Sequence, residues 1–141
     1  MPGRETILLV EDEPVVRTLA KQILERFGYK VLLAEDGLAG IEAYREHQEN
    51  IDLVVLDLTM PRLSGQETLE ELVKLDPDVR VIFSSGYSAE PPVALDHRNV
   101  LGFIGKPYKP DQLADTVRQA LDRSVMAGEL AAALADERDF R

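Results

Sequence analysis

Two hydrophobic rhythms alternate along this chain. Short unbroken apolar runs read as strands buried on both faces, and apolar residues at a spacing of three and four read as amphipathic helices. The first strand is predicted at Thr6 to Val10, ending in Glu11-Asp12-Glu13. Pro14 then opens a helix with Val15/Val16, Leu19, Ile23/Leu24 and Phe27 at helical spacing, and Gly28 stops it. Lys30 to Ala34 is the second strand, Glu35-Asp36-Gly37 a turn and helix cap, and Leu38, Ile41 and Tyr44 mark the second helix. Ile51 to Asp57 is the third strand. Ser64 with Glu67 forms a capping-box pattern before a third helix bearing Leu69, Leu72 and Val73. Val79 to Ser84 is the fourth strand. Pro91-Pro92 permits only a short fourth helix, about Pro92 to His97. Val100 to Gly105 is the fifth strand, and Pro110 opens a fifth helix with Leu113, Val117 and Leu121 on one face.

Strands alternating with helices through short connections predict a parallel sheet with right-handed crossovers and helices on both faces. Five such units are too few for a closed eight-stranded barrel, so the expected fold is α/β, an open doubly wound sheet. The domain is expected over residues 1–123. Residues 124–141 form a tail in which Glu129 to Ala135 has strong helix propensity; it reads as a terminal helix, or as an oligomerisation helix or linker stub.

Charge narrows the function. With 26 acidic and 16 basic residues the net charge is −10, which disfavours a general nucleic-acid or anionic-membrane binder. There is no cysteine, hence no disulfide and no thiolate metal site. No segment is long and apolar enough to span a bilayer. The N-terminus leads straight into a strand without a signal-peptide pattern, and a cytoplasmic location is expected.

In a parallel sheet the C-terminal strand ends lie along one edge, where open α/β sheets bind ligands. Here they deliver Glu11 and Asp12, then Asp57, Ser85 and Lys106. Crowded carboxylates repel, and a hard divalent cation relieves the repulsion. Mg²⁺ suits oxygen ligands and phosphate; zinc would want His and Cys, and calcium an EF-hand-type loop. An ammonium and a hydroxyl suit phosphoryl oxygens. One carboxylate can then serve as the nucleophile and become an acyl phosphate. Asp57 is the candidate, because it stands alone at the end of its strand.

At this point the chain resembles a response-regulator receiver domain of two-component signalling, over roughly residues 5 to 123. The motifs are Ile7 to Pro14, Ala34-Glu35-Asp36-Gly37, Leu53 to Pro61, Ser84-Ser85-Gly86-Tyr87 and Phe103 to Tyr108. Together, in this order and spacing, they are specific. The resemblance implies a flavodoxin-like (βα)5 fold with strand order 2-1-3-4-5. It implies that Asp57 accepts phosphoryl from a phosphohistidine, on a sensor histidine kinase or a histidine phosphotransfer protein. Asp12, Asp57 and the backbone carbonyl of Thr59 would hold Mg²⁺, with Mn²⁺ a substitute, and Glu11 would act through a metal-bound water. Lys106 would contact the phosphoryl group. Ser85 would move to it, Phe103 would turn inward, and the Lys106-Pro107 bond would be cis. Thr59 and Tyr87 would tune phosphoryl lifetime. The response would appear on the surface of the fourth helix, fifth strand and fifth helix, which could also form a homodimer, as could the tail.

The chain departs from the common pattern in carrying Glu11-Asp12 where many members have Asp-Asp. Two serines adjoin at the switch position, and the following Gly86-Tyr87 favours Ser85; Ser84 reads as a buried strand residue. Other readings stay open. Glu11 to Glu13 could be a solvated turn, Lys106 a surface lysine and Phe103 plain core. His47 and His97 read as surface residues. The chain could be the receiver part of a hybrid histidine kinase, or a pseudo-receiver acting by contact alone. A phosphohydrolase with an Asp nucleophile would need a second Asp where Thr59 stands, and a dinucleotide site would need a glycine-rich loop after the first strand.

Overall fold

The computed structural model describes residues 4–58, 60, 63–86 and 98–122. Five strands form one parallel sheet in the order β2-β1-β3-β4-β5. They are β1 (Thr6–Val10), β2 (Lys30–Ala34), β3 (Leu53–Asp57), β4 (Val81–Ser85) and β5 (Val100–Gly105). The described helices are α1 (Pro14–Arg26), α2 (Gly37–His47), α3 (Gly65–Leu75) and α4 (Pro110–Leu121). The fourth helix expected near Pro92 to His97 and the tail at 124–141 lie outside the described residues, so α4 is the fifth helix of the sequence reading.

The sheet separates two cores. On one face Ile7, Leu9, Val55 and Ile82 meet α1 and α4 through Ile23, Leu24, Leu113 and Val117. On the other, Leu8, Val10, Leu56 and Phe83 meet α2 and α3 through Ile41, Tyr44, Leu69 and Leu72. Strand alternation explains the division, since successive side chains point to opposite faces. Leu53 to Leu56 have no solvent exposure at all. Each such side chain stabilises the fold by roughly 1.5–3 kcal/mol relative to an exposed one.

Local chemistry sets the helix ends. Gly28 closes α1 at φ 94°, a left-handed conformation that suits glycine. Asp36 caps α2 by accepting from the Ala39 N–H at 2.8 Å. Ser64 and Glu67 form the expected capping box, with hydrogen bonds of 3.2 and 3.1 Å.

Two apolar stripes differ from expectation. Val15 (81% exposed) and Leu19 point outward from α1. The inward row is Val16, Ala20, Ile23, Leu24 and Phe27, one residue round from the Val15/Leu19 row. Leu38 is also exposed, because Gly37 and Gly40 occupy the packed face of α2. A Cβ at Gly40 would lie 2.8 Å from Val10, and one at Gly37 would strike the Thr68 hydroxyl. Glycine at these positions is what lets α2 close onto β1 and α3.

Candidate functional site

The chain reverses direction across the sheet after β2, so β1 and β3 flank the crevice where such sheets bind ligands. The N–H of Glu11 donates to the Ala34 carbonyl at 3.1 Å and continues the ladder past β1. Likewise Leu58 N–H donates to Ser84, and Lys106 N–H to Ser85, each at 2.9 Å. These rungs hold the first residues beyond each strand in fixed positions.

Carboxylate oxygens of Glu11, Asp12 and Asp57 lie within 4.8 Å of one another. Glu11 and Asp57 are buried and Asp12 is half-buried, so Asp12 stands nearest the opening. For the two buried carboxylates, that spacing means a repulsion of roughly 3 kcal/mol at an effective dielectric constant of about 20. The Lys106 ammonium offsets part of it, at 2.6 Å from Glu11 Oε1 and 3.1 Å from Asp57 Oδ2. The Lys106 side chain is only 12% exposed, so the surface-lysine reading does not hold. Burial alone would lower its pKa. The carboxylates of Glu11 and Asp57 outweigh burial and hold it above the ordinary lysine value.

When all four groups are ionised, three carboxylates share one ammonium, and these four groups together carry a net charge of −2. Among the described residues, the buried Asp12 Oδ1 has no hydrogen-bond partner, and Glu11 Oε1 has none beyond its ion pair. An all-oxygen set with spare lone pairs and this charge fits a hard divalent cation.

The remaining predicted residues sort by face. Ser85 follows Phe83 toward the α2/α3 side, and Phe83 pairs with Phe103 across β4 and β5. Ser85 is buried and Phe103 half-buried, so the hydroxyl and the ring share one face beside the site. The Lys106-Pro107 bond is cis, as the resemblance implied. Ser84 is a buried strand residue, as expected, and Glu11 is no part of a solvated turn. His47 is exposed on the surface. Thr59, Tyr87 and His97 lie outside the described residues.

Sequence reasoning did not single out three further participants. Gly65 brings the start of α3 against the end of β3, where a Cβ would lie 2.7 Å from the Asp57 carbonyl oxygen. Its place after the Ser64 cap was the only available signal. Arg17 donates from Nη1 to the Glu11 carbonyl at 2.8 Å, and the Glu13 N–H donates to Glu11 Oε2 at 3.2 Å, fixing the acidic turn. Tyr108 is buried against the α1/α4 core. Burial pushes its phenol up to about 12; the Ser84 hydroxyl beside it and Lys106 oppose that rise, while Glu11 and Asp57 add to it.

Residues 7–118 match the family model described as the response regulator receiver domain. The chain is 40% identical over 128 residues to the sensor kinase CckA of Brucella abortus, an alignment covering 87% of this chain but 13% of the kinase. It is 33% identical to the chemotaxis protein CheY of Bacillus subtilis, covering 82% of this chain and 97% of that protein. The crystal structure of the receiver domain of the hybrid histidine kinase CckA superposes with a TM-score of 0.70 at 34% identity, covering 82% of this chain and 98% of that one.

Proposed function

Because the chain belongs to the response regulator receiver domain family, we propose that Asp57 is its phosphoacceptor and that Lys106, Ser85 and Phe103 read the phosphoryl group. The observation that carries this is Asp57 itself: a buried carboxylate at the C-terminal end of a central strand, 3.1 Å from an ammonium and beside two further carboxylates. The chain is a receiver domain of two-component signalling, and its donor is a phosphohistidine on a sensor kinase or a phosphotransfer protein.

Transfer is an in-line displacement. An Asp57 carboxylate oxygen forms a bond to phosphorus while the bond from phosphorus to the imidazole nitrogen breaks, and the electron pair leaves with the imidazole. Such transfer depends mainly on positioning and charge neutralisation. Lys106 lies against the acceptor carboxylate and can shift its ammonium to a phosphoryl oxygen without leaving the pocket. Ser85 donates a hydrogen bond to a second oxygen from the other face, and Phe103 follows it inward. Asp12 and Asp57, with the Thr59 carbonyl, would hold Mg²⁺, or Mn²⁺ in its place, and Glu11 would act through a metal-bound water. Bound there, the ion would neutralise the carboxylates and the charge on the transferring oxygens. Thr59 and Tyr87 tune hydrolysis of the acyl phosphate. The response spreads to the surface around β5 and α4 as a population shift between two states.

A second reading concerns context. The chain spans 13% of the length of the sensor kinase it matches at 40% identity. That supports a receiver carried by a hybrid kinase as well as one that works alone, with residues 124–141 as linker or dimerisation segment. A cytoplasmic site follows from the phosphodonor; among the described residues no helix is long and apolar enough to cross a membrane.

The test is transfer from a labelled histidine phosphotransfer protein. Label should pass to this chain only with Mg²⁺ or Mn²⁺ present, and not to Asp57→Asn. Equal labelling of the variant would remove the assignment.

A further inference from the structure

Every polar atom of Glu11 meets another group of the chain. Its N–H donates to the Ala34 carbonyl at the end of β2 at 3.1 Å, and its own carbonyl accepts from Arg17 of α1 at 2.8 Å. Oε2 accepts from the Glu13 N–H at 3.2 Å, and Oε1 lies 2.6 Å from the Lys106 ammonium. The residue has no solvent exposure. Asp12 differs. It is half-buried, and its Oδ1 has no hydrogen-bond partner among the described residues. The two adjacent acids are therefore not equivalent: Asp12 keeps an oxygen for a cation, whereas Glu11 is engaged by the chain itself.

Lys106 shows what that engagement does. Its ammonium lies 2.6 Å from Glu11 but 3.1 Å from Asp57 Oδ2, so the glutamate holds it closer than the acceptor does. Side-chain length permits this. The Glu11 backbone is pinned at both N–H and carbonyl, so the reach of its carboxylate depends on the number of methylenes. An aspartate there would be shorter by one carbon–carbon bond, roughly 1.5 Å. It could not keep the contact unless the turn moved. The ammonium would then settle on Asp57, the other carboxylate it touches. There it would cover an oxygen that both the divalent ion and the incoming phosphorus need.

Resting on the phosphoacceptor reading, we propose that Glu11 is a positioning residue for Lys106: its extra methylene relative to aspartate holds the ammonium off Asp57 and leaves the acceptor carboxylate open to the divalent ion and the phosphoryl group. Arg17 supports this from behind, by fixing the Glu11 carbonyl.

The test uses the full chain and Glu11→Asp, which changes length and keeps charge. The ¹⁵Nζ resonance of Lys106 is followed without divalent ions, and Mg²⁺ affinity is measured by calorimetry. The resonance should move in the variant. Mg²⁺ should bind about tenfold more weakly, because the ion must displace an ammonium seated on Asp57. A merely structural role would lower stability to urea and leave the resonance in place. Arg17→Gln leaves both carboxylates intact and loosens only the Glu11 backbone; it should move the Lys106 resonance in the same direction by less. Wild-type or tighter Mg²⁺ binding in Glu11→Asp with a static resonance would overturn the proposal. If Glu11→Asp does not fold, a static resonance in Arg17→Gln would overturn it equally. Failure of wild type itself to bind Mg²⁺ or to take phosphoryl at Asp57 would instead count against the phosphoacceptor reading.

Discussion

Lys106 Nζ lies 2.6 Å from Oε1 of Glu11, a carboxylate with no solvent exposure. The same ammonium reaches Asp57, so a tethered cation already stands among the carboxylates that would hold a metal. Charge balance in this pocket therefore involves Lys106 and a divalent ion together.

Lys106→Met should expose that balance. It leaves two buried carboxylates without their counter-charge, and breaking a buried pair costs about 3–5 kcal/mol. Chemical denaturation without divalent ions should show a loss of that order. Adding Mg²⁺ should restore the variant more than it stabilises wild type. A variant as stable as wild type in a chelating buffer would show that the ion pairs contribute little.

Gly65→Ala should damage the site from behind. Its Cβ would fall 2.7 Å from the Asp57 carbonyl oxygen and 2.8 Å from Leu58 Cα, both backbone atoms that cannot swing aside. Forced contacts of this kind cost about 1–3 kcal/mol. Urea unfolding should report that loss, and phosphorylation at Asp57 should slow because the end of β3 moves. Alanine's better helix propensity, worth up to about 1 kcal/mol, works in the opposite direction. A stabilised Gly65→Ala would mean that α3 can shift freely.

Ser85 and Phe103 share a face beside the pocket. Ser85→Ala should still accept phosphoryl at Asp57 but pass on less of the response. The readout is the set of amide spectra for β5 and α4 with and without beryllofluoride. Wild type should shift and Ser85→Ala should shift less; identical responses would separate the hydroxyl from the switch.

The pair of Glu5 and Arg118 gives a pH signature away from the site. Arg118 donates to Glu5 Oε2 at 2.7 Å and holds the Glu5 carboxyl down at about 2, from 4.5. A carboxyl with a depressed folded-state pKa binds fewer protons folded than unfolded between those values. Its stabilisation is therefore complete above pH 4.5 and is lost as pH falls toward 2. The pair is partly exposed and salt-screened, so the contribution is under about 1 kcal/mol. Arg118→Gln should flatten this part of the stability curve at low ionic strength. An unchanged slope in that window would assign the acid response to other groups.

Most of the fold was legible because buried parallel strands have an unmistakable apolar signature. β1, β2 and β5 begin and end where the apolar runs do. β4 was harder to place. Val79 continues the run but begins no strand, because its N–H donates to the Asp76 carbonyl and its own carbonyl accepts from the Asn99 side chain. That competition comes from a residue twenty positions away, beyond any local pattern. Val15, Leu19 and Leu38 misled for a related reason: helical spacing reveals a stripe, but the partner sheet decides which of two adjacent rows faces inward.

The site was legible to the level of strand ends. Glu11, Asp12, Asp57 and Lys106 meet as the alternation of strands and helices implied. The roles of Gly65, Arg17 and Tyr108 were not legible, because each acts through contacts between elements distant in sequence. Ser84 reads as a buried strand residue in the sequence and is one in β4.

The central claim is that Asp57 accepts phosphoryl, and intact-mass analysis tests it most directly. The wild-type chain is incubated with Mg²⁺ and acetyl phosphate, alongside Asp57→Asn and a chelated control. Wild type should gain the mass of one phosphoryl group, labile to hydroxylamine, while the variant and the control gain none. The same gain in Asp57→Asn would contradict the account.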